Sequence, residues 1–313
     1  MSTRPSSGSV TPSGVAPVRR RRTIPFLQEA KSAGRKLVMV TAYDYPSARA
    51  AEAADVDMVL VGDSGAMTVL GHDSTVSVTT EEMLTLTKAA RRGTRNAILV
   101  ADLPFGSYEV SDEQAAATAV RFVKEAGADA VKLEGGGRIS VSRARAIVGA
   151  GVPVVGHVGL TPQTAVALGG YRAQGRTVES ALAVARGALD LQAAGCVAIV
   201  FEAVPSVLTD DLMSVMRIPV IGIGAGAGAD GQVLVFHDLL GIREGVGAKF
   251  VRRYADLQDE MNAGVAAYAD EVRRGVFPGP EHGYGMDADE FALYRARRGE
   301  IASRFDDLAS LWA

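Results

Sequence analysis

Residues 97–136 read AILVADLPFGSYEVSDEQAAATAVRFVKEAGADAVKLEGG. The stretch holds a short apolar run, a segment with apolar residues at three- and four-residue spacing that ends at Gly127, and a second apolar run. This order predicts a strand, an amphipathic helix closed by a glycine, and another strand. Because the two runs are nearly continuous in apolar residues rather than alternating, they are typical of parallel strands covered on both faces.

The same unit recurs from Leu37 onward. Eight such runs alternate with helical segments, which predicts an α/β fold, a closed (β/α)8 TIM barrel with a C-terminal helical extension. An open Rossmann-type sheet is the alternative, but its glycine fingerprint is missing after the first run, where the sequence reads TAYDYPSAR. The runs are LVMVTAYD (37–44), MVLVGDS (58–64), AILVADLPF (97–105), AVKLEGG (130–136), VPVVGHVGL (152–160), VAIVFEAV (197–204), IPVIGIGAG (218–226) and VLVFHDLLG (233–241).

The pattern predicts three parts of the chain. Residues 1–22 are rich in Ser, Pro, Gly and Arg and lack hydrophobic periodicity, which predicts a disordered basic tail. Residues 23–285 form the catalytic barrel, whose last segment, 249–275, is predicted as one long helix, and residues 286–313 form the helical extension. An apolar stripe in the extension must be covered by the barrel or by a neighbouring subunit. The stripe comprises Ile301, Phe305, Leu308 and Trp312.

Composition limits the classes of function. The formal net charge is −3, and because residues 1–22 carry five arginines and no acid, residues 23–313 carry −8. An acidic body argues against nucleic-acid binding, and the four arginines 19–22 are read as a solvated charge run, with electrostatic contact to a partner as the alternative. The longest uncharged apolar run, residues 218–229, has 12 residues, too few to cross a bilayer. The single cysteine, Cys196, cannot form an intrachain disulfide. We therefore expect a cytoplasmic protein with no membrane or nucleic-acid partner.

Acidic residues stand at the ends of several predicted strands. In a barrel of this kind the active site lies at the C-terminal ends of the strands. Acids on three consecutive strands, the second to the fourth, would repel one another unless a cation lies between them, and oxygen ligands favour Mg²⁺. The alternative is that each acid pairs separately with a Lys, an Arg or a helix N-terminus. The predicted metal ligands are Asp63, Asp102 and Glu134.

Three further polar residues are predicted at the barrel mouth, the edge formed by the C-terminal ends of the strands. Lys132 lies two residues before Glu134, so both side chains face one side of the fourth strand. This lysine can anchor a substrate carboxylate or balance the acids, and ion pairing with them disfavours a Schiff base. Glu202 ends the sixth strand away from the other acids, which makes it the candidate base, with a structural acid as the alternative. His157 ends the fifth strand and can either hydrogen-bond a substrate oxyanion or serve as a core histidine.

Other features carry weaker signals. The glycine-rich segment 222–231 could cradle a phosphate, but it has no lysine and no Walker pattern, which favours a simple close approach of backbones. His72 lies in the long loop after the second strand and is a candidate lid residue, whereas His237 and His282 are weaker candidates. Cys196 precedes the sixth strand at the end opposite the mouth and is interpreted as structural.

Taken in order, the motifs of residues 23–282 resemble those of the ketopantoate hydroxymethyltransferase family. This resemblance implies transfer of a hydroxymethyl group from 5,10-methylenetetrahydrofolate to 3-methyl-2-oxobutanoate through a metal-stabilised enolate, which gives ketopantoate for pantothenate biosynthesis. It also implies a homo-oligomer, a decamer of two pentameric rings. The matching motifs are VTAYDYPSA, VLVGDS, LGHDST, RRG, ADLPFGSY, AGADAVKLEGG, GHVGLTPQ, GGYRAQGR, FEAVP, IPVIGIGAG, DGQVLVFHDLLG and GVFPGPEH.

The resemblance assigns roles to individual residues. One Mg²⁺ per subunit is implied on the three acids named above, and the 2-oxo acid would chelate this metal while Ser64 and Lys132 hold its carboxylate. Glu202 matches the proton acceptor. The predicted site thus comprises metal ligands Asp63, Asp102 and Glu134, substrate-binding residues Asp63, Ser64, Asp102, Lys132 and His157, and the catalytic residue Glu202.

One departure and two alternatives qualify this reading. Where the family usually has Leu-Gly-Met after VGDS, this chain has Gly65-Ala66-Met67, which predicts a loop of altered flexibility or shape. A rival function is that of the phosphoenolpyruvate mutase and isocitrate lyase superfamily, another group of Mg²⁺ enolate enzymes on this barrel. Many of its lyases use a cysteine-bearing loop, and Cys196 is badly placed for that. A catalytically idle scaffold is the second alternative.

Overall fold

The computed structural model describes residues 20–167, 169–243 and 247–302. Within them eight parallel strands close into a barrel in chain order, and the last strand pairs with the first. The predicted (β/α)8 barrel is therefore confirmed. The strands are β1 Leu37–Thr41, β2 Met58–Val61, β3 Ile98–Asp102, β4 Ala130–Lys132, β5 Val154–Gly159, β6 Ala198–Glu202, β7 Val220–Ile223 and β8 Gly231–Leu234.

The helices that lie between successive strands cover the outside of the barrel. They begin and end where local chemistry predicts: α5, for example, starts behind the Ser111 cap and stops at Gly127, whose φ of 74° lies in the left-handed region. The helices are α1 Ile24–Ser32, α2 Tyr45–Ala53, α3 Gly65–Thr68, α4 Thr80–Gly93, α5 Asp112–Ala126, α6 Arg138–Gly149, α7 Val178–Ala193, α8 Ser206–Met213, α9 Phe236–Leu240, α10 Leu257–Arg273, α11 Ala288–Arg297 and α12 Gly299–Ala302. None of these helices is long and apolar enough to cross a membrane.

Alternate residues of the strands pack into a core inside the barrel. This inner core includes Ala130, Val155 and Val200, together with Leu27 and Ala30 of α1. Side chains two residues further along a strand face the same side. The inward column above the core on β4, β5 and β6 therefore continues with polar residues, which are Lys132, His157 and Glu202.

The eighth strand differs from its prediction. The apolar run starting at Val233 was expected to be the strand, but β8 is Gly231–Leu234 and the run continues into the short helix α9. The backbone N–H of Phe236 donates to the side-chain hydroxyl of Thr41 (2.8 Å), which satisfies one amide at the start of this helix. Because the strand and the helix both carry apolar residues that pack against the core, hydrophobicity alone does not mark the boundary between them.

The chain divides into two compact units, residues 1–256 and 257–313. This boundary lies earlier than residue 285, where the sequence pattern places the end of the barrel, and the helix predicted over 249–275 is confined to α10. In the second unit Tyr268, Phe277 and His282 form a row of ring contacts with centroids 5.5 and 5.0 Å apart. Ile301 lies in α12, whereas the rest of the predicted apolar stripe, Phe305, Leu308 and Trp312, lies outside the described residues.

The end of the basic segment belongs to the barrel. Arg21 pairs with Asp129 (2.6 Å), and Arg22 pairs with Asp57 (2.9 Å) and Asp55 (3.1 Å). The prediction of a disordered, solvated charge run is therefore wrong for Arg22, whose side chain is 13% exposed, whereas Arg21 is paired but its side chain is 60% exposed. The reason is that the acids precede strands, where they offer partners that the sequence pattern did not reveal. Residues 1–19 lie outside the described part of the chain.

Candidate active site

A cavity of about 180 Å³ lies at the C-terminal ends of the strands. Every residue of the predicted site lines it, so the structure brings the whole set together. Among the acids of this set Glu202 is the least buried: its side chain is 16% exposed, against 2–4% for the paired groups around it. Ser64 is also partly exposed. The set comprises Asp63, Ser64, Asp102, Lys132, Glu134, His157 and Glu202.

Lys132 is buried among acids. Its Nζ lies 3.0 Å from Asp102 Oδ1 and 3.4 Å from His157 Nδ1. Burial opposes the ammonium charge, but the negative charges of Asp102, Glu134 and Asp63 outweigh it and raise the pKa of Lys132 above its ordinary value. The side chain is therefore a fixed cation that can bind an anion. A protonated amine is a poor nucleophile, which is in line with the interpretation against a Schiff base.

Asp63 and Asp102 place excess negative charge in a buried site. Burial and the charges of Glu134 and Asp102 hold the pKa of Asp63 well above its ordinary range. Burial also raises the pKa of Asp102, although Lys132 offsets part of the effect. The backbone N–H of Asp63 donates to Asp102 Oδ2 (3.1 Å). Asp102 Oδ1 faces Lys132 Nζ in the ion pair and, among the described residues, has no donor aligned for a hydrogen bond. Two adjacent carboxylates with such a shortage of positive charge fit a hard cation.

The pKa of Glu134 is shifted in the opposite direction from those of the two aspartates. Burial opposes its charge, but its contacts with His157 and Lys132 and the backbone N–H of Gln163 (3.0 Å to Oε2) lower the pKa of Glu134. Across the described residues, no three Asp, Glu, His or Cys side chains form a ready-made metal site. Mg²⁺ is commonly bound through one or two carboxylates, with water and substrate oxygens completing its shell. The donor set of the two aspartates therefore fits the ion without a third preset ligand.

His157 connects Glu134 with Glu202. Its Nδ1 lies 3.5 Å from Glu134 Oε1, and its Nε2 lies 3.3 Å from Glu202 Oε2. Burial and the nearby Lys132 oppose protonation, yet the two carboxylates prevail and raise the pKa of His157 to about 9. At neutral pH the imidazole is therefore a buried cation that holds Glu202 in place electrostatically.

The backbone around Glu202 is unusually constrained. Its carbonyl oxygen accepts a hydrogen bond from the backbone N–H of Leu160 (2.8 Å), and the next residue, Ala203, has a φ of 49° in the left-handed region. A non-glycine residue in this conformation is strained and is retained where the surrounding structure enforces it. The turn after β6 thus fixes the direction in which the Glu202 carboxylate enters the mouth.

Sequence reasoning missed Gln163, which ties the acids together. Its Nε2 donates to Asp63 Oδ2 (2.8 Å) and to the Leu103 carbonyl (3.0 Å), while its Oε1 accepts from the Tyr108 hydroxyl (2.6 Å). All its amide hydrogens and its oxygen are thereby engaged in orienting the site. The motif GHVGLTPQ ends at this glutamine, and a polar residue after a turn at a strand's C-terminal end was the available signal.

Sequence reasoning also missed Tyr43, which contacts Ser64. Its hydroxyl lies 2.8 Å from Ser64 Oγ, and burial raises the pKa of Tyr43 to about 12. The phenol therefore stays neutral and can fix the rotamer of Ser64. Its ring lies against Gly65, where the segment predicted to be a loop instead begins the short helix α3.

The weaker candidates lie outside the cavity lining. His72 is 3.9 Å from Glu82, on the loop after α3, and His282 belongs to the second unit. His237 lies against the Tyr43 ring, and burial lowers the pKa of His237. Burial raises the pKa of the Cys196 thiol to about 12, as expected of a structural cysteine. In the glycine-rich segment, a Cβ on Gly231 would meet the Leu37 carbonyl oxygen at 2.5 Å, which is the close backbone approach favoured above.

The sequence matches one family and many of its members. The family model described as ketopantoate hydroxymethyltransferase matches residues 21–280. The chain is 52% identical over 266 residues to 3-methyl-2-oxobutanoate hydroxymethyltransferase of Moorella thermoacetica, covering 85% of this chain and 98% of that protein. It is 49% identical over 275 residues to the enzyme of the same name from Heliobacterium modesticaldum, covering 88% of this chain and 99% of the relative.

Solved structures share the fold at low sequence identity. A 2,3-dimethylmalate lyase, described as a member of the PEP mutase/isocitrate lyase superfamily, has a TM-score of 0.54 at 15% identity and covers 91% of this chain and 98% of its own. A phosphonopyruvate hydrolase in complex with oxalate and Mg²⁺ has a TM-score of 0.53 at 13% identity and covers 91% and 99%. At this identity the likeness shows the barrel fold.

Proposed function

The chain belongs to the ketopantoate hydroxymethyltransferase family, and we propose that its barrel mouth carries out the reaction after which the family is named. The protein is a hydroxymethyltransferase that converts 3-methyl-2-oxobutanoate to ketopantoate, 2-dehydropantoate, in pantothenate biosynthesis. The observation that carries the assignment of the site is that one cavity joins a fixed cation, Lys132, to a carboxylate that stands apart from the other acids, Glu202. We further propose that the one-carbon donor is 5,10-methylenetetrahydrofolate.

The cavity suits a small 2-oxo acid. A volume of about 180 Å³ accommodates a five-carbon acid and excludes much larger substrates. Lys132 and Ser64 bind the substrate carboxylate, the first through charge and the second through its hydroxyl. Because Tyr43 fixes Ser64 (2.8 Å) and Asp102 fixes Lys132 (3.0 Å), both donors are held in place before substrate binds.

Glu202 removes the proton from C3 of the substrate. The electron pair left on C3 is delocalised onto the 2-oxo group, and C3 of the resulting enolate forms a C–C bond with the one-carbon unit of the donor. The two C–N bonds that held this carbon break, and a water molecule supplies the oxygen of the hydroxymethyl group. The proton taken from C3 and one proton of the water end on the two nitrogens, and tetrahydrofolate leaves. Protonated His157, whose Nε2 lies 3.3 Å from Glu202 Oε2, orients this base. The greater exposure of Glu202 compared with the other acids gives the abstracted proton a route to solvent.

We propose that Asp63 and Asp102, with Glu134, hold one Mg²⁺ per subunit. When bound, this ion supplies positive charge that stabilises the negative charge developing on the 2-oxo oxygen. Gln163 orients Asp63 (2.8 Å), and Lys132 neutralises part of the charge of Asp102. Support comes from the shortage of positive charge around the two aspartates described above.

Two parts of the proposal do not depend on the geometry of the site. We propose a cytoplasmic location, from the composition of the sequence, and a homo-oligomer, specifically a decamer, from the family resemblance. Mass photometry tests the second: a mass about ten times the 32.6 kDa of one chain is expected, and a monomeric mass at micromolar concentration contradicts it.

Loss of the C3 proton tests the function directly. In D₂O with Mg²⁺, NMR should show exchange of the C3 proton of 3-methyl-2-oxobutanoate without donor, and adding 5,10-methylenetetrahydrofolate should yield ketopantoate. Glu202→Gln should slow both the exchange of the C3 proton and the formation of ketopantoate by about 10²–10⁴-fold, because a neutral amide cannot accept the proton. The control is Glu179→Gln, an exposed acid on α7. Wild-type protein without ketopantoate formation would refute the proposed donor and reaction, and full exchange in Glu202→Gln would refute the role of Glu202.

A further inference from the structure

A larger groove opens beside the catalytic cavity. It has a volume of about 1040 Å³, and its lining shares two residues with that of the cavity, Glu202 and Phe250. Between them these two side chains form the boundary of the small cavity and the groove. A molecule bound in the groove therefore lies against the carboxylate that faces the small substrate.

The sizes of the two spaces suit different substrates. The catalytic cavity, at about 180 Å³, is too small for a fused-ring donor with an aryl-glutamate tail, whereas the groove is as large as the pockets that bind drug-sized molecules. Because the proposed reaction joins the two substrates, the larger one must bind within reach of the cavity.

The groove is strongly cationic. Its lining carries one acid, Glu202, against four cations, which are Arg172, Arg176, Arg243 and Lys249. Arg243 is paired with Asp238 (2.6 Å), but among the side chains that the structure describes none forms an ion pair with Arg172 or Arg176. Both arginines are exposed. Free guanidinium groups in a groove favour carboxylate-bearing ligands, which they bind in a bidentate manner.

Aromatic surface is available at the end nearest the cavity. The Phe250 ring packs directly on the backbone of Gly224, where a Cβ would lie 2.6 Å from its Cδ1, so the ring is held in place. Tyr171 also lines the groove and is 60% exposed, so its ring is open to a ligand there. Flat aromatic faces beside the mouth suit a planar heterocycle.

We propose that this groove, named the donor groove and defined by Tyr171, Arg172, Arg176, Glu202 and Phe250, binds the folate donor. The pterin ring packs against the aromatic side chains at the Glu202 end, and the glutamate tail lies along the two arginines. The one-carbon unit is thereby presented across Glu202 to the small substrate. This inference rests on the proposed function and adds to it the residues that bind the second substrate.

Two one-carbon donors, one with and one without the glutamate tail, distinguish binding at the two ends of the groove. KM is measured for 5,10-methylenetetrahydrofolate and for the matching methylene derivative of tetrahydropteroate, which lacks the glutamate. Arg172→Ala and Arg176→Ala should each raise the KM of the folate about five-fold, the size of one partly exposed ion pair, and leave that of the tailless donor unchanged. Phe250→Ala should raise the KM of both donors. The matched control is Arg186→Ala, an exposed arginine on α7 that does not line the groove.

A binding measurement and an isotope measurement complete the test. Equilibrium dialysis with tetrahydrofolate should show weaker binding to the two arginine variants than to Arg186→Ala, independently of turnover. Donor-free exchange of the C3 proton in the wild-type protein reports the proposed function by itself. If that exchange occurs while the arginine variants bind tetrahydrofolate as the wild type does, or lose both donors equally, the donor groove is wrong and the proposed function stands. If wild-type exchange and turnover are both absent, the proposed function fails.

Discussion

A β-carbon on Gly159 would overlap the carbonyl oxygen of Glu202, the residue paired with it between β5 and β6. Gly159 has a φ of 98°, which favours glycine, and the following residue, Leu160, donates its backbone N–H to the same carbonyl (2.8 Å). The end of β5 therefore sets the backbone position of the proposed base, although Gly159 contributes no side chain to the site.

Gly159→Ala is expected to impair catalysis through Glu202. The added methyl group must push the Glu202 backbone away, and a shift of about 1 Å can cost about 100-fold in rate. C3 exchange of 3-methyl-2-oxobutanoate in D₂O measures the effect. Gly151→Ala is the matched control, because its φ of 85° imposes similar backbone strain while nothing lies within 4 Å of the new methyl group. Equal losses in the two variants would mean that strain, and not the position of Glu202, accounts for the result.

Asp63→Asn should have opposite effects with and without metal. Burial, together with the charges of Glu134 and Asp102, raises the pKa of Asp63 because it disfavours the carboxylate. A neutral amide does not carry this cost, so the metal-free variant should have a higher Tm than metal-free wild type. The asparagine oxygen can still accept from Gln163, so the local shape is retained. In excess Mg²⁺ the wild type should gain stability and the variant much less, with at least about 10-fold weaker Mg²⁺ binding by calorimetry. Asp190→Asn, an exposed acid of α7, is the control; equal Mg²⁺ binding in Asp63→Asn and wild type would contradict the assigned ligand.

The departure at Gly65 can be examined by restoring a larger residue. A Cβ at this position would lie 2.7 Å from Tyr43 Cδ1 and 3.1 Å from Leu86 Cδ1, so this chain has no room for a side chain there. Gly65→Leu should displace the Tyr43 ring and with it Ser64, whose hydroxyl lies 2.8 Å from the phenol. We expect the KM for 3-methyl-2-oxobutanoate to rise about 10-fold, the loss of roughly one hydrogen bond to a charged group. Gly149→Leu is the control, because Gly149 also lies in a helix and nothing lies within 4 Å of an added Cβ. An unchanged KM in Gly65→Leu would show that α3 accommodates leucine.

Much of this site could be predicted because parallel strands end at one edge. An apolar run followed by a polar residue marks that edge, so Asp102 and Glu202 could be placed at the mouth from the sequence alone. The contact between Gln163 and Asp63 could not, because the two lie 100 residues apart and meet only through the curvature of the barrel. Periodicity also failed at the end of β8, where strand and helix are equally apolar. The roles assigned to the mouth residues stay predictions until the variants above are measured.

Glu52 should make the stability of the barrel depend on acid pH. Burial opposes its charge, yet its carboxylate accepts the backbone N–H groups of Arg95, Asn96 and Ala97 at 2.8–3.3 Å, which lower the pKa of Glu52 below its ordinary value of 4.5. A group whose pKa is lowered on folding contributes stability above its unfolded pKa and loses it as the pH falls through the folded value. Glu52→Gln should cost about 2 kcal/mol at pH 7, because an amide cannot accept all of these donors.

The predicted signature of Glu52 is a difference that fades on acidification. Urea unfolding followed by circular dichroism should show the gap between wild type and Glu52→Gln at pH 7, and the gap should shrink below about pH 4.5, where Glu52 begins to be protonated in the unfolded chain. Glu29→Gln, an exposed acid on α1, should show a small difference at every pH. A gap for Glu52→Gln that persists unchanged to the most acidic conditions would mean that shape, and not the charge held by three backbone amides, is what residue 52 contributes.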